Sequence, residues 1–313
     1  MSRDDDYLKT SEGLLSIAPP RRPVVRWAVT AVLGLAFVAA LFSIFQNERF
    51  RWELVASYLF DGRILAGLAN TLMLTVVAMA IGVVLGIALA IGVRSRIPTV
   101  AWAAQAYLWF FRGTPVLVQL IFWYNIGALY PTFFIGIPFL DPWFEISAND
   151  AITPLTAAIL GLGLNEGAYM AEIVRAGLIS VDRGQRDAAH AVGLTRTETM
   201  FRIVLPQALK VIVPPTGNQT IGMLKTTSMV SVIAMADLLY AAQRIYSVNY
   251  QVIPLLVTIS IWYLVLTSVL MVVQWLLENR LGRGTAQHRA GRTSRGPSPV
   301  PLTSPLDSKG DGR

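Results

Sequence analysis

The sequence predicts an all-α integral membrane protein with about six transmembrane helices and both termini in the cytoplasm. Hydrophobic residues make up 54% of the 313-residue chain and charged residues only 14%, whereas a soluble domain has roughly 25% charged residues. The mean hydropathy is +0.53. Long apolar runs recur along the chain, and basic residues concentrate in alternate segments between them.

The distribution of basic residues predicts the orientation. Twenty of the 26 lysines and arginines fall in four segments, 1–26, 94–96, 175–210 and 280–313, and four fall in the intervening outer segments. Cytoplasmic loops carry such an excess, so these four segments are placed inside. The net charge of +7 is therefore attributed to topology and to contact with anionic membrane lipid, and no nucleic acid partner is expected.

The two ends of the chain are polar. Residues 1–23 are predicted to form a disordered cytoplasmic tail, and residues 279–313, rich in Arg, Gly, Ser and Pro, a second, basic one. Residues 24–46 are predicted to form an extra N-terminal transmembrane helix. A cleaved signal peptide has the same order of charge and apolar run, but no small-residue cleavage site ends this run. Residues 64–278 hold the five remaining predicted spans.

The second and third predicted spans cover about 64–93 and 100–129. The second contains Gly82 and Gly86, a pair that permits close contact between helices. The third is interrupted where it enters the bilayer. Three residues at this interruption are structural or gating candidates: Arg112, Gly113 and Pro115. An arginine that only anchors the helix at a kink explains them equally well.

The last three predicted spans cover about 152–174, 211–236 and 252–277. Pro214, Pro215 and Gly217 are expected to disrupt the start of the middle one, and a loop is expected at 237–251. Charged groups inside a span are functional candidates because burial in lipid is costly. The candidates for a water-filled translocation pathway are Glu166, Asn218 and Lys225. The alternative is a buried Lys225–Glu166 pair that locks two helices together.

The polar segment 187–206 is predicted to fold as two short helices with a break. The first covers about 183–192, and Gly193 supplies a left-handed stop. Thr195 and Glu198 form a capping-box pattern for the second helix, which Pro206 is expected to disturb. Phe201, Val204 and Leu205 are its predicted apolar stripe. Such an elbow is suited to docking on a soluble partner, although a plain connection between two spans would look similar.

The elbow resembles the cytoplasmic coupling loop of ABC importer permeases. The match consists of Asp187-Ala188-Ala189, Gly193, Ile203 and Leu205-Pro206 at the family's spacings, with Asp187 in place of the usual glutamate. Further stretches resemble the polar amino acid branch (histidine, glutamine, glutamate or arginine type) of this family: Asn70-Thr71-Leu72, Phe111-Arg112-Gly113-Thr114-Pro115, Glu166 to Glu172, Gly184-Gln185 and Leu224-Lys225-Thr226-Thr227-Ser228.

The resemblance implies a type I importer core of five helices and a division of labour among several chains. Two permease chains, identical or paralogous, would form the pore in the bacterial inner membrane. A separate ABC ATP-binding subunit would dock on the coupling loop at 175–210, and an extracytoplasmic binding protein would deliver a polar amino acid. The implied coupling residues are Gln185, Asp187, Ala188, Ala189, Gly193, Ile203, Leu205 and Pro206.

The chain itself is not expected to be an enzyme. It lacks the Walker A pattern that cradles nucleotide phosphates, so ATP hydrolysis is assigned to the partner subunit. We expect no cofactor and no metal in this chain, which has no cysteine and only two histidines. Alternatives remain: the same machinery for an opine or another amino-acid-like solute, a secondary transporter driven by an ion gradient, or a membrane scaffold or sensor.

Overall fold

Helices provide nearly all the regular structure in the computed structural model, which describes residues 23–135 and 142–282. The predicted tails, 1–23 and 279–313, lie almost wholly outside the described residues. The helices are α1 Pro23–Gln46, α2 Trp52–Leu59, α3 Gly62–Val93, α4 Pro98–Gly113, α5 Val116–Tyr124, α6 Ala148–Ala151, α7 Pro154–Ile179, α8 Arg183–Ala191, α9 Arg196–Glu198, α10 Leu205–Thr226, α11 Leu238–Asn249 and α12 Val252–Gly282.

The connections include short irregular helices and one hairpin. Segments of 3-10 helix cover Glu48–Phe50, Ile126–Ala128 and Thr227–Ile233, and a π-helical segment covers Thr199–Val204. Strands β1 (Thr132–Ile135) and β2 (Phe144–Ser147) pair antiparallel, with Phe133 opposite Ile146. These strands were not predicted from the sequence.

Among the described residues, three helical segments are long and apolar enough to cross a membrane on their own. They are Arg26–Gln46, Gly62–Val93 and Val252–Arg280. A fourth span results if Arg196–Ile233 and Leu238–Asn249, which are bent by 44° at the break between them, are one span. The protein is thus predominantly helical with three to four strongly apolar spans, while α7 carries too many polar groups to stand out by hydropathy.

The core of the bundle is the contact of α3 with α7. Gly82 and Gly86 on α3 make this contact possible, because a Cβ atom at Gly82 would lie 2.8 Å from Glu166 Cβ and one at Gly86 would lie 2.9 Å from the amide nitrogen of Ala171. Small residues let two helix backbones approach closely. The close helix contact predicted for this glycine pair is confirmed.

The interior around this contact is apolar. One cluster of buried side chains joins α3, α5, α7 and the end of α10 through Leu74, Leu120, Leu162 and Met223. A second cluster joins the start of α3 to α11 and α12 through Ile64, Leu238 and Leu255.

At the start of α3, the side chain of Asp61 caps the helix by accepting a hydrogen bond from the Arg63 amide. The hydrogen bond from the Arg63 side chain lowers the pKa of Asp61, so this acid caps the helix in its charged form.

The predicted third span is two helices. α4 ends at Gly113 and α5 begins at Val116, with Thr114 and Pro115 extended between them. Proline disfavours helical geometry at the residue before it, so the interruption predicted from Gly113 and Pro115 is observed. The side chain of Gln119 caps the break by donating to the carbonyl of Phe111 at 3.2 Å and to the hydroxyl of Thr114 at 2.7 Å.

The prolines at 206 and at 214–215 have different effects. The disturbance predicted at Pro206 is observed, because the preceding residues Thr199–Val204 are π-helical instead of α-helical, although the chain stays helical from Arg196 to Thr226. The interruption predicted at Pro214 and Pro215 is wrong, because both lie inside α10 without ending it. Membrane helices tolerate prolines where neighbouring helices pack against them, and α12 contacts α10 at this point through Gln274, which donates to the Pro214 carbonyl at 3.3 Å.

The predicted loop at 237–251 is also wrong. Helix α11 fills most of it, and Asp237 caps the helix by accepting hydrogen bonds from the amides of Leu239 and Tyr240. The buried residues Leu238, Ala241, Ala242 and Ile245 face one side, a helical spacing that is visible in the sequence. The helix was not predicted because the neighbouring positions are polar.

Candidate functional site

A polar cavity of about 470 Å³ lies where the break between α4 and α5 faces α7 and α10. The sequence candidates Arg112, Gly113, Pro115 and Glu166 all line it. The structure thus brings together the proposed gating residues and one of the proposed pathway residues. The remaining lining residues are Thr114, Val116, Leu162, Asn165, Tyr169, Gln219, Gly222, Met223 and Thr226.

Glu166 is the buried acidic residue of this cavity. Its side chain is 2% exposed, because α3 passes close to α7 at Gly82. Gln219 on α10 donates a hydrogen bond of 3.1 Å from its Nε2 to Glu166 Oε2, and Glu166 Oε1 has no hydrogen-bond partner among the described residues. A buried carboxylate oxygen without a donor is costly, so this atom would accept a cationic or hydrogen-bonding group once a movement of the helices opened it to the cavity.

Arg112 contributes a positive charge to the same cavity. It ends α4, and its Nη1 lies 3.3 Å from Glu172 Oε1 on α7. Glu172 also binds Arg175 one turn further along α7, with Arg175 Nη2 at 2.6 Å from Oε2. The Glu172–Arg175 pair and Arg112 together form a three-membered charge cluster that ties α4 to α7.

Asn165 fixes the wall of the cavity opposite the helix break. Its Nδ2 donates to the Phe111 carbonyl at 2.9 Å and to Gln119 Oε1 at 3.2 Å. The carbonyl of Phe111 has lost a helical partner where α4 ends, so Asn165 and Gln119 satisfy an otherwise unpaired backbone group. This network holds the break between α4 and α5 at a set position beside Glu166.

Lys225 and Asn218 lie elsewhere. They line a second, open groove of about 430 Å³ between α10 and α12, together with Gln274 and Glu278. The proposed buried pair between Lys225 and Glu166 is therefore wrong: Glu166 binds Gln219, which points to the other face of α10. Gly222 lines both spaces, and a Cβ atom at Gly222 would meet nothing within 4 Å.

The elbow between α7 and α10 has the predicted local geometry. Asp182 caps α8 by accepting from the Gly184 amide at 2.7 Å, and Gly193 has a φ of +86°, which ordinary residues resist. Thr195 and Glu198 form both halves of a capping box. The helix limits are Arg183–Ala191, one residue shorter than predicted.

The elbow is fixed to the bundle on one side only. Val181, Val204, Ala208 and Ile212 form a buried cluster beneath it, and Arg186 donates to the Leu178 carbonyl at 2.6 Å. Of the predicted apolar stripe, Val204 is buried but Phe201 is 64% exposed.

The residues of the coupling-loop motif divide accordingly between a free face and the contact with the bundle. Ala189 is buried, Ile203 and Leu205 are half-buried, and the following are exposed: Gln185, Asp187, Ala188, Gly193 and Pro206.

Several residues of the site were not singled out from the sequence. Gln219, Tyr169 and Thr226 line the cavity. The only signal in the sequence for Gln219 is that it is a polar residue inside a predicted span, next to the candidate Asn218. Among the described residues, no group of three or more His, Cys, Asp or Glu side chains is arranged to hold a metal ion.

Comparison with known proteins identifies the family. Residues 82–283 match the model of the binding-protein-dependent transport system inner membrane component. The chain is 41% identical to an arginine transport system permease protein of Corynebacterium glutamicum over 88% of this chain and 86% of that protein. It is 33% identical to an L-cystine transport system permease protein of Bacillus subtilis over 75% and 93%.

A solved structure described as an amino acid ABC transporter with histidines shares the fold. Its TM-score is 0.61 at 36% identity, and the match covers 72% of this chain and 98% of that one. The region that matches the family model, 82–283, contains the α3–α7 contact from Gly82 onward, the polar cavity and the elbow. This chain belongs to the family of binding-protein-dependent transport system inner membrane components.

Proposed function

We propose that this chain is the permease subunit of an ATP-driven importer and forms the membrane pathway for a polar amino acid. The observation that favours this function most is the cavity at Glu166, a partly open space between helices. It is lined by Arg112 and by Glu166, whose buried Oε1 has no partner among the described residues. Every amino acid carries an ammonium and a carboxylate group, and the cavity offers one group of opposite charge to each.

Arginine is the first substrate to test. The relative with 41% identity is named an arginine transport system permease protein, and a guanidinium or ammonium group would satisfy Glu166 Oε1. Polar and charged residues inside membrane spans typically mark substrate pathways. Gly222 lies between this cavity and the groove at Lys225, and the space around it is open. Both spaces would therefore be parts of one path.

The elbow is the proposed contact with a separate ATP-binding subunit. Its exposed face carries Gln185, Asp187 and Ala188, and its other side rests on α10. A push on the elbow would reach α10 through Val204 and Ala208, and α10 carries Gln219 on the cavity wall. The elbow thus offers a short mechanical path from a soluble partner to Glu166.

The proposed assembly contains two permease chains, two ATP-binding subunits and an external binding protein. In this arrangement the chain crosses the bacterial inner membrane about six times, as α1 and the five-helix core, and both termini and the elbow face the cytoplasm. The distribution of basic residues supports this orientation. The open groove at Lys225 and Asn218, which exposes polar groups from α10 and α12, is the proposed surface toward the second permease.

Tagged purification from native membranes in mild detergent tests this proposal. We expect mass spectrometry to find a chain with a Walker A motif in near-equal amount, and Gly193→Asp to reduce its recovery. A second permease in the eluate would indicate a heterodimer, and its absence a homodimer. Recovery of this chain alone, still able to mediate uptake without ATP, would contradict the proposal and favour a secondary transporter.

A further inference from the structure

An apolar groove of about 640 Å³ runs along α3, α7, α10 and α12. None of its lining residues lines the cavity at Glu166. Its floor is formed by α7 through Met170 and Val174, which are buried, and its walls include Ile87 on α3 and Leu277 on α12, which are exposed. The proposed substrate path does not use this space.

The groove offers almost no free hydrogen-bonding groups. The hydroxyls of Thr216 and Thr220 donate to carbonyls one turn earlier in α10, at 2.8 and 2.9 Å. The Gln274 amide nitrogen donates to Pro214, Asn218 and Glu278. An amino acid bound here would leave its charges unpaired, which is costly, whereas a hydrocarbon chain needs no partner.

The length of the groove matches one leaflet of a bilayer. On α3 its lining runs from Val83 to Ile91, which is about 12 Å at 1.5 Å per residue. Half of the hydrocarbon core is roughly 15 Å. A single acyl chain of a phospholipid therefore fits beside α3 with its headgroup near the end of this helix.

Basic residues stand at that end of the groove. Arg94 follows Ile91 by less than one turn on α3, Arg280 follows Leu277 on α12, and both are exposed. Neither forms an ion pair with any other residue in the part of the chain that the structure describes. Two uncommitted guanidinium groups at the mouth of an apolar groove are complementary to a lipid phosphate with an acyl chain beneath it.

We infer that this groove binds an anionic phospholipid, with one acyl chain between α3 and α12 and the headgroup phosphate at Arg94 and Arg280. Met200 and Phe201 of the π-helical segment line the same groove, so the bound lipid contacts the base of the elbow. The lipid would stabilise the position in which the elbow meets the membrane helices. Its placement in the cytoplasmic leaflet rests on the proposed orientation of the chain.

Photo-crosslinking in nanodiscs that contain the full transporter tests this inference. The probes are phosphatidylglycerol and phosphatidylcholine that carry the same photoreactive acyl chain, and the crosslinked peptides are located by mass spectrometry. We expect phosphatidylglycerol to label groove peptides around Ile87 and Leu209 in preference to phosphatidylcholine. Each arginine near the headgroups contributes a factor of about five in affinity for an anionic lipid, so Arg94→Gln with Arg280→Gln should nearly abolish the preference.

A matched pair of variants separates the groove from the general lipid surface. Leu209→Trp fills the groove and should reduce labelling several-fold, whereas Val84→Trp, on α3 but outside the groove, should not. Equal labelling by both lipids, unchanged by the arginine variants, would overturn the inference. So would efficient crosslinking of an Ile87→Cys variant to α1 or to a second permease chain, because protein would then fill the groove.

The outcome of the lipid crosslinking experiment does not depend on whether the cavity at Glu166 is the substrate path. Labelling is measured on the groove peptides themselves, so normal uptake by a Glu166→Gln variant would contradict the proposed path and leave the lipid result intact. The sequence contains no cysteine, so an introduced cysteine is the one thiol of this chain that the crosslinker can reach.

Discussion

Gln219 on α10 donates a hydrogen bond of 3.1 Å to Glu166 on α7, and the other oxygen of this buried carboxylate has no partner among the described residues. The pair joins two features of the bundle. Glu166 lies against Gly82 of α3 in the close contact between α3 and α7, and Gln219 belongs to the helix that continues from the elbow. A movement of the elbow that shifted α10 would therefore change the surroundings of Glu166 directly.

The charge of Glu166 is expected to be necessary for uptake. A hydrogen bond to a charged group is worth about 1.5–3 kcal/mol, so Glu166→Gln, which keeps size and shape, should lower the rate of uptake by about ten- to a hundredfold. Reconstituted transport of radiolabelled arginine measures this effect, and thermal unfolding should change little.

A double variant provides the control for this prediction. Glu166→Gln with Gln219→Glu returns one carboxylate to the same pair, and part of the uptake should recover. If the single variant transports normally, the cavity at Glu166 is not the substrate path. If it fails to assemble with its partners, the carboxylate is structural.

The two arginines bound to Glu172 should behave differently. Both ion pairs are partly exposed, so each contributes at most about 1 kcal/mol to stability. Only Arg112 lines the cavity at Glu166. We expect Arg112→Gln to lower uptake and Arg175→Gln to leave it nearly unchanged, with similar small decreases in Tm for both. Equal effects on uptake would show that the charge cluster acts only as a brace between α4 and α7.

Gly86 of α3 should be intolerant of any side chain. A Cβ atom at Gly86 would lie 2.9 Å from the backbone nitrogen of Ala171, so α3 and α7 would have to separate. Overpacking of this kind typically costs about 1–3 kcal/mol. Gly86→Ala should therefore lower the midpoint of thermal unfolding in detergent. Gly34→Ala on α1, where a Cβ atom meets nothing within 4 Å, should not, and a stable Gly86→Ala protein would argue against the α3–α7 contact described here.

Gly193 should be required for the shape of the elbow. Its φ of +86° costs an L-residue about 1–2 kcal/mol, so Gly193→Ala should distort the turn between α8 and α9. We expect weaker co-purification of the ATP-binding subunit and slower ATP-dependent uptake. Val192→Ala, at the exposed neighbouring residue with a negative φ, is the control. If the Gly193→Ala variant keeps normal co-purification and normal ATP-dependent uptake, the elbow is only a connection between α7 and α10.

The sequence was most informative where local chemistry decides the structure. The limits of α3, the break at Pro115, the left-handed Gly193 and the capping box at Thr195 each depend on a few adjacent residues. The packing of Gly82 and Gly86 could also be predicted, because small residues spaced four apart leave a helix face open.

Contacts between helices could not be predicted in the same way. A helix can present any face to its neighbours, and a rotation of α10 by about 120°, the angle between positions six residues apart, decides whether Gln219 or Lys225 faces Glu166. Glu166 was therefore paired with the wrong residue, and Arg112 was not connected to Glu172. The effect of Pro214 and Pro215 was misjudged because the packing of neighbouring helices, which lets a membrane helix continue through prolines, depends on the tertiary structure.

The central claim is that this chain couples solute movement to ATP hydrolysis on a partner, and uptake into proteoliposomes tests it most directly. The vesicles would contain the co-purified transporter, with ATP inside, the binding protein and radiolabelled arginine outside, and an uncoupler that removes ion gradients. We expect uptake that requires ATP, persists with the uncoupler and falls in the Glu166→Gln and Gly193→Asp variants. Uptake that the uncoupler abolishes and that needs no ATP would contradict the account.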